Sequence, residues 1–302
     1  MSDSIERTGP AFARAGDVEL CYETFGDAAH PPLVLIMGLG AQMILWNEDF
    51  CAGLARQGRW VVRFDNRDIG LSTRFVEDGQ PTMAEVFAGA GAGKPLAPRY
   101  ALLDMARDTI GLLDALGIAR ADVVGLSMGG AIAQEIALNF PERLRTVTFI
   151  MAPSGDPNSP PGTPAALANL IAPTPLEREP FVRNFVERWR VLAADHFPFD
   201  TERTTWEGET TYERGINPPG VARQMLAIVA SGNRLAKLHA VEVPTLVIHG
   251  TLDPLVPFAV SLEVAKTVPG ATLAAVEGMG HSLPREAWPQ ILEAITHHAP
   301  AG

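Results

Sequence analysis

A serine flanked by glycines two positions away on each side, Gly125-Leu126-Ser127-Met128-Gly129, marks the point where an apolar run gives way to a helical pattern. A sharp strand-to-helix turn exposes a hydroxyl at the carboxyl edge of a sheet and aims a helix N-terminus at it. Only small residues fit two positions before and after. A serine hydroxyl is a weak nucleophile until a base takes its proton, and the base needs an acid to hold its orientation. On this turn the partners follow in chain order, acid and then histidine. Of seven histidines, His297 and His298 fall in the C-terminal tail, His30 precedes the core pattern, and His196 and His239 lie in or beside an irregular middle segment. His249 ends an apolar run, where a buried, hydrogen-bonded imidazole is expected. His281, in Gly278-Met279-Gly280-His281-Ser282, has flanking glycines that allow a tight path over the serine, and it is the expected base. For the acid, Asp253 stands just past the run Thr245 to His249, where open α/β sheets gather catalytic side chains; Asp156, after the preceding run, is the alternative.

Two more segments bear on this chemistry. Met37-Gly38-Leu39-Gly40 follows another apolar run, and the backbone N–H groups of Leu39 and Met128 are the expected donors to the oxyanion of a tetrahedral intermediate. Asp65 to Ser72 ends the next run, and its charged residues are expected to brace neighbouring loops. The side chains nearest the serine in this reading are apolar: Leu39, Met43, Ile44 and Trp46 on one side, Leu255, Val256 and Leu283 on the other.

The elements that must carry these residues read as alternating short apolar runs and amphipathic helical patterns, the mark of a sheet with helices on its faces. Strands are expected at 17–25, 33–37, 60–64, 122–125, 145–150 and 245–249, with a weaker one at 272–276. Helical spacing covers 104–116, 128–139, 258–268 and 288–298. From Pro153 to about Leu235 no strand-like run appears. That stretch opens rich in Pro, Gly and Ser and continues as helical pieces at 165–172, 176–193 and 221–235. The expected organisation is a core of residues 1–153 and 236–302 with a helical cap at 154–235, whose Trp189 and Trp206 would face the substrate.

Composition narrows the partners. The 302 residues are 47% hydrophobic and 20% charged, the balance of a globular protein, and the formal charge of −11 repels phosphate backbones and anionic lipid heads. Neither nucleic acid nor a membrane surface is an expected partner; a small molecule is. Cys21 and Cys51 are expected as two buried thiols. No His pair at ligand spacing points to a metal, and Gly89 to Lys94 lacks the spacing of a phosphate loop and reads as a flexible connection, so no cofactor is expected. Residues 1–14 carry no apolar segment of a secretory signal, and a cytoplasmic location is expected.

From about Gly16 to Ala299 the sequence resembles an α/β-hydrolase fold enzyme: GLSMGG, TLDPLVP, GMGH, the Asp65 to Ser72 segment and the insertion fall in that superfamily's order. Within it the chain is most similar to the aclacinomycin methylesterase group of carboxylic ester hydrolases, through GDVEL with a later FGD, a Met-Gly pair after the third strand, RDxGxS, VPTLVI and GMGH. The resemblance implies a mostly parallel sheet flanked by helices, Ser127 as nucleophile, Asp253 as acid, His281 as base, and Leu39 and Met128 as oxyanion donors. Met37-Gly38 departs from the superfamily's usual His-Gly, and Leu39 stands where the methylesterase group has Gly. Both positions act through backbone, so these changes imply a bulkier, more apolar pocket floor. The expected activity is acyl-enzyme hydrolysis of a neutral hydrophobic ester, with a ring-bearing methyl ester suggested by the resemblance. The alternative is C–C bond hydrolysis or cofactor-free perhydrolysis with the same triad.

Overall fold

Helices cover both faces of the central strands, which is why those strands are apolar without alternation. A computed structural model describes residues 5–76, 81–93 and 97–299. Its sheet has eight strands: β1 (Arg7–Ala15), β2 (Val18–Phe25), β3 (Pro32–Ile36), β4 (Trp60–Phe64), β5 (Ala121–Leu126), β6 (Leu144–Ile150), β7 (Thr245–Gly250) and β8 (Thr272–Val276). They lie in the order β1-β2-β4-β3-β5-β6-β7-β8. The β1–β2 and β2–β4 pairs are antiparallel, and every later neighbour is parallel. Side chains still alternate between faces. Val34 and Ile36 join one apolar cluster with Val123 and Val147, while Leu33 and Leu35 join another with Val124 and Ile150.

Around the sheet lie α1 (Glu48–Arg56), α2 (Met83–Gly91), α3 (Leu102–Ala115) and α4 (Met128–Asn139). Four helices follow between β6 and β7: α5 (Pro164–Ile171), α6 (Arg178–Ala193), α7 (Thr201–Glu213) and α8 (Pro218–Ala230). The chain ends on α9 (Phe258–Thr267) and α10 (Trp288–His298). All seven expected strands form. β1 was not anticipated because it is an edge strand whose first four residues face solvent, with Pro10 tolerated where no inner ladder must be completed. α7 was missed because its sequence, TERTTWEGETTYE, has almost no apolar face, and the Asp200 side chain fixes its start by accepting from the Arg203 N–H. The run read as a flexible connection instead closes α2, which the reciprocal Thr82–Glu85 capping box starts; Lys94 lies outside the described residues. Cys21 and Cys51 are buried free thiols, and burial pushes them up to about 11 and about 12.

β4 and β5 flank β3 on opposite sides, so successive crossovers leave it in opposite directions, and a crevice opens beyond the carboxyl ends of β3 and β5. The loop after β4 ties the inserted helices to this edge. Asp68 accepts two bonds from Arg223 of α8, at 2.9 and 2.7 Å, one from the Tyr100 hydroxyl at 2.8 Å and one from the Phe75 N–H at 3.0 Å. Asp65 accepts from the Met43 N–H at 2.7 Å and also meets Arg214. The expected bracing role of this segment is therefore a brace between core and insertion. Asp68→Ala removes the one carboxylate on which Arg223, the Tyr100 hydroxyl and the Phe75 N–H converge, and should destabilise the protein by about 3–5 kcal/mol. The check is the midpoint of urea unfolding against wild type, followed by tryptophan fluorescence.

Candidate active site

Ser127 links β5 to α4 with φ 54° and ψ −117°, a conformation side chains rarely adopt. The surroundings over-determine it. The Ser127 N–H donates to the Ile150 carbonyl at 2.9 Å, and its own carbonyl accepts from the Ala131 N–H at 3.1 Å. A Cβ on Gly129 would lie 2.1 Å from the Ile36 carbonyl oxygen, and one on Gly125 equally near the Gly129 carbonyl, so the turn closes only with glycine at both places.

His281 comes from the loop after β8 and reaches the serine. Its Nε2 is 3.0 Å from Ser127 Oγ and its Nδ1 2.6 Å from Asp253 Oδ2. A carboxylate only accepts, so Nδ1 carries the ring proton and Nε2 is left to accept from the hydroxyl. The loop is pinned from outside: the His281 N–H donates to the Leu192 carbonyl at the end of α6, at 2.7 Å. Gly280 lies so close to that helix end that a Cβ would meet the Leu192 carbonyl at 2.4 Å.

Asp253, beyond β7, is almost fully buried and accepts four bonds. Oδ1 takes the Leu255 and Val256 N–H groups, each at 2.8 Å; Oδ2 takes His281 and, at 3.1 Å, His249 Nε2. Burial alone would raise its pKa, but His281 and His249 outweigh that and hold the carboxyl well below the usual range. His249 is fully buried, as expected, with Nδ1 2.5 Å from Ser261 Oγ and Nε2 also 2.8 Å from the Val256 carbonyl. Nε2 faces two acceptors, so it is the protonated nitrogen, and Nδ1 accepts from Ser261. Its direct bond to Asp253 was not foreseen. Asp156, the alternative acid, instead caps its own loop by accepting from Asn158 and Asn233.

Met128 opens α4, and the first N–H groups of a helix have no partner within it. Gly38 packs on the serine, a Cβ there lying 3.2 Å from Ser127 Cβ, and this brings the strand end that carries Leu39 against the turn. Two cavities open on this edge. The larger, about 360 Å³, is lined by Trp46, Phe50, Leu126, Trp189 and Leu283, with Arg203 and Glu207 also in its wall. The smaller, about 170 Å³, is lined by Leu39, Leu255, Leu192, Trp189 and Arg188.

Residues 31–286 match the alpha/beta hydrolase fold family. The chain belongs to that family. This alpha/beta hydrolase is 29% identical over 305 residues to the rhodomycin D methylesterase of Streptomyces peucetius, covering 94% of this chain and 96% of that one. It is 31% identical over 180 residues to a 2-hydroxy-6-oxononadienedioate/2-hydroxy-6-oxononatrienedioate hydrolase of Burkholderia vietnamiensis, covering 58% of this chain and 61% of that one. Among solved structures, the 2-hydroxy-6-oxo-6-phenylhexa-2,4-dienoate hydrolase of a Rhodococcus superposes with TM-score 0.76 at 21% identity, covering 99% of this hydrolase and all of that chain.

Three expected pocket residues are not where they were placed. Met43 is fully buried against Cys21 and Ile44, beneath the loop rather than on the cavity wall. Val256 lines neither cavity and serves through its N–H and carbonyl, which hold Asp253 and His249. Trp206 is 40% exposed, lies under the Arg203 guanidinium at 4.1 Å, and lines neither cavity. Trp46, Trp189 and Leu255 do line the cavities. The walls are also less apolar than expected, since Arg203, Glu207 and Arg188 had no signal beyond an i,i+4 charge pair on α7. Burial pushes the Glu207 carboxyl up to about 7 despite the neighbouring Arg203.

Two outcomes follow from this geometry. Strain of this kind costs about 1–3 kcal/mol, partly offset by the flexibility a glycine adds to the unfolded chain, so Ser127→Gly should raise stability by about 1 kcal/mol. Calorimetric unfolding of the two proteins checks it. Glu207 is neutral below about pH 7 and anionic above, so KM for a bulky uncharged ester should rise as pH passes 7. Glu207→Gln should flatten that rise, which a pH series of KM would read.

Proposed function

We propose that this alpha/beta hydrolase is a carboxylic ester hydrolase that works through an acyl-enzyme on Ser127. The observation that carries the reading is the alignment of Ser127 Oγ, His281 Nε2 at 3.0 Å, and Asp253 Oδ2 at 2.6 Å from Nδ1. The 29% identical methylesterase supports an ester as the group cleaved. In this reading His281 takes the hydroxyl proton as Oγ attacks the ester carbonyl, then returns it to the leaving alcohol. Water activated by the same imidazole then hydrolyses the acyl-enzyme. Asp253 keeps the required tautomer and stabilises the imidazolium, and the Leu39 and Met128 N–H groups stabilise the oxyanion. Helices α5–α8 act as a cap over the core, and the larger cavity holds a bulky apolar part of the substrate, each Å² removed from water contributing roughly 25 cal/mol.

The test is hydrolysis of short p-nitrophenyl esters. Wild type should turn over and be inactivated by a fluorophosphonate found on Ser127 by mass spectrometry, whereas Ser127→Ala should do neither. Asp253→Asn should lower kcat on the order of 10⁴-fold, because the amide favours the wrong tautomer while keeping the shape. Normal turnover by either variant overturns the assignment. The Burkholderia relative gives a second reading, cleavage of a C–C bond beside a ketone by the same three residues. Disappearance of a meta-cleavage dienoate chromophore with no ester turnover would favour it.

A further inference from the structure

Among the described residues, Arg188 of α6 is the one charged residue in the wall of the smaller cavity. Of its five N–H donors, one on each terminal nitrogen is engaged, by the Thr174 hydroxyl and by the Ala172 carbonyl, both neutral acceptors. Its Nε is buried without a partner. Arg63 meets Glu23, Arg67 meets Asp108 and Arg223 meets Asp68, while buried Arg234, which also meets neutral acceptors, has all three of its nitrogens engaged, by the Gln134, Gly232 and Pro153 oxygens. Burial holds Arg188 below the usual guanidinium range with no compensating anion. The polar neighbours are committed elsewhere. Gln42 donates to the Thr211 and Gly215 carbonyls and accepts from Arg214, and the Asn169 amide donates to the Arg188 carbonyl. Among the described residues no carboxylate lines this cavity, yet Leu39 and Leu255 in its wall adjoin the reacting groups.

A half-buried guanidinium whose Nε is buried without a partner, facing an otherwise uncharged cavity, lacks an anion. We propose that the smaller cavity is a carboxylate subsite, in which Arg188 binds an anionic carboxylate borne by the ester substrate. The proposal rests on the ester-hydrolase reading and names its substrate class: an ester with a large apolar part on one side and a carboxylate within reach of the reacting carbonyl on the other. It replaces the expectation of a wholly neutral substrate.

The experiment uses two series over a range of chain lengths. Monomethyl dicarboxylates carry the charge on the acyl part, and acetyl esters of ω-hydroxy acids carry it on the alcohol part. Each acid is paired with its primary amide, an uncharged near-isostere. A charge-assisted bond to a guanidinium in a cavity wall corresponds to roughly 10- to 100-fold. In one series, at one chain length, kcat/KM for the acid should exceed that for the amide by about that factor. Arg188→Gln should bring the ratio to near one, and Arg188→Lys should keep part of it. A wild-type ratio near one throughout, or an unchanged ratio in Arg188→Gln, overturns the subsite and means that Arg188 only ties α6 to the loop before it. If no ester is cleaved at all, the ester reading fails separately. Calorimetric titration of Ser127→Ala with adipate and with adipamide then decides the subsite: preference for adipate, lost on adding Arg188→Gln, supports it, and equal or absent binding overturns it.

Discussion

The carboxylate of Asp253 accepts four hydrogen bonds, and no two of its three sources lie in the same element of the fold. Two N–H groups come from its own loop, one imidazole from the end of β7, and the other from the loop after β8. A buried carboxyl with fewer donors would hold its proton, and a protonated acid could no longer fix which nitrogen of His281 faces the serine. Its pKa is lowered by folding, so the stability it contributes is full above about pH 4 and lost as pH falls toward the folded value. The geometry of the site and the acid limit of the fold thus share one charge.

The topology makes this convergence inexpensive in chain length. β5, β7 and β8 run parallel, so the residues that follow each strand emerge at the same edge of the sheet. Ser127, Asp253 and His281 are 126 and 28 residues apart in sequence and still lie within one hydrogen-bonded chain. The change of strand order at β3 opens the crevice at that edge, and the tie from Asp68 to Arg223 hangs the inserted helices over it.

How far the sequence could be read follows from what fixes each residue. The serine, acid and histidine were legible because backbone geometry restricts them: glycines that allow a close approach, and loops at strand ends. The central strands were legible because two-sided burial leaves no room for polar residues. The pocket was legible only in part. Whether Trp206 or Trp189 faces inward depends on how α7 and α6 are rotated against the core, and nothing local encodes that. Met43 looked like a pocket residue because it is apolar and near the Leu39 loop, but a buried loop needs its own core, and Met43 with Cys21 is that core. The charges of Arg188 and Glu207 were invisible for the converse reason. A solvated Arg or Glu and a buried one are the same letter, and only the packing of four helices separates them.

One contact ties two parts of the molecule that are usually thought of as separable. The backbone of His281 hangs from the Leu192 carbonyl, the last turn of α6, and Gly280 fits against the same turn. The insertion is thereby part of the scaffold that places the imidazole, not a cover laid over a finished site. A foreign insertion grafted between β6 and β7 would have to present a carbonyl at that same point. A side-chain replacement along α5–α8 leaves that carbonyl in place, whereas exchange of the whole segment takes it away.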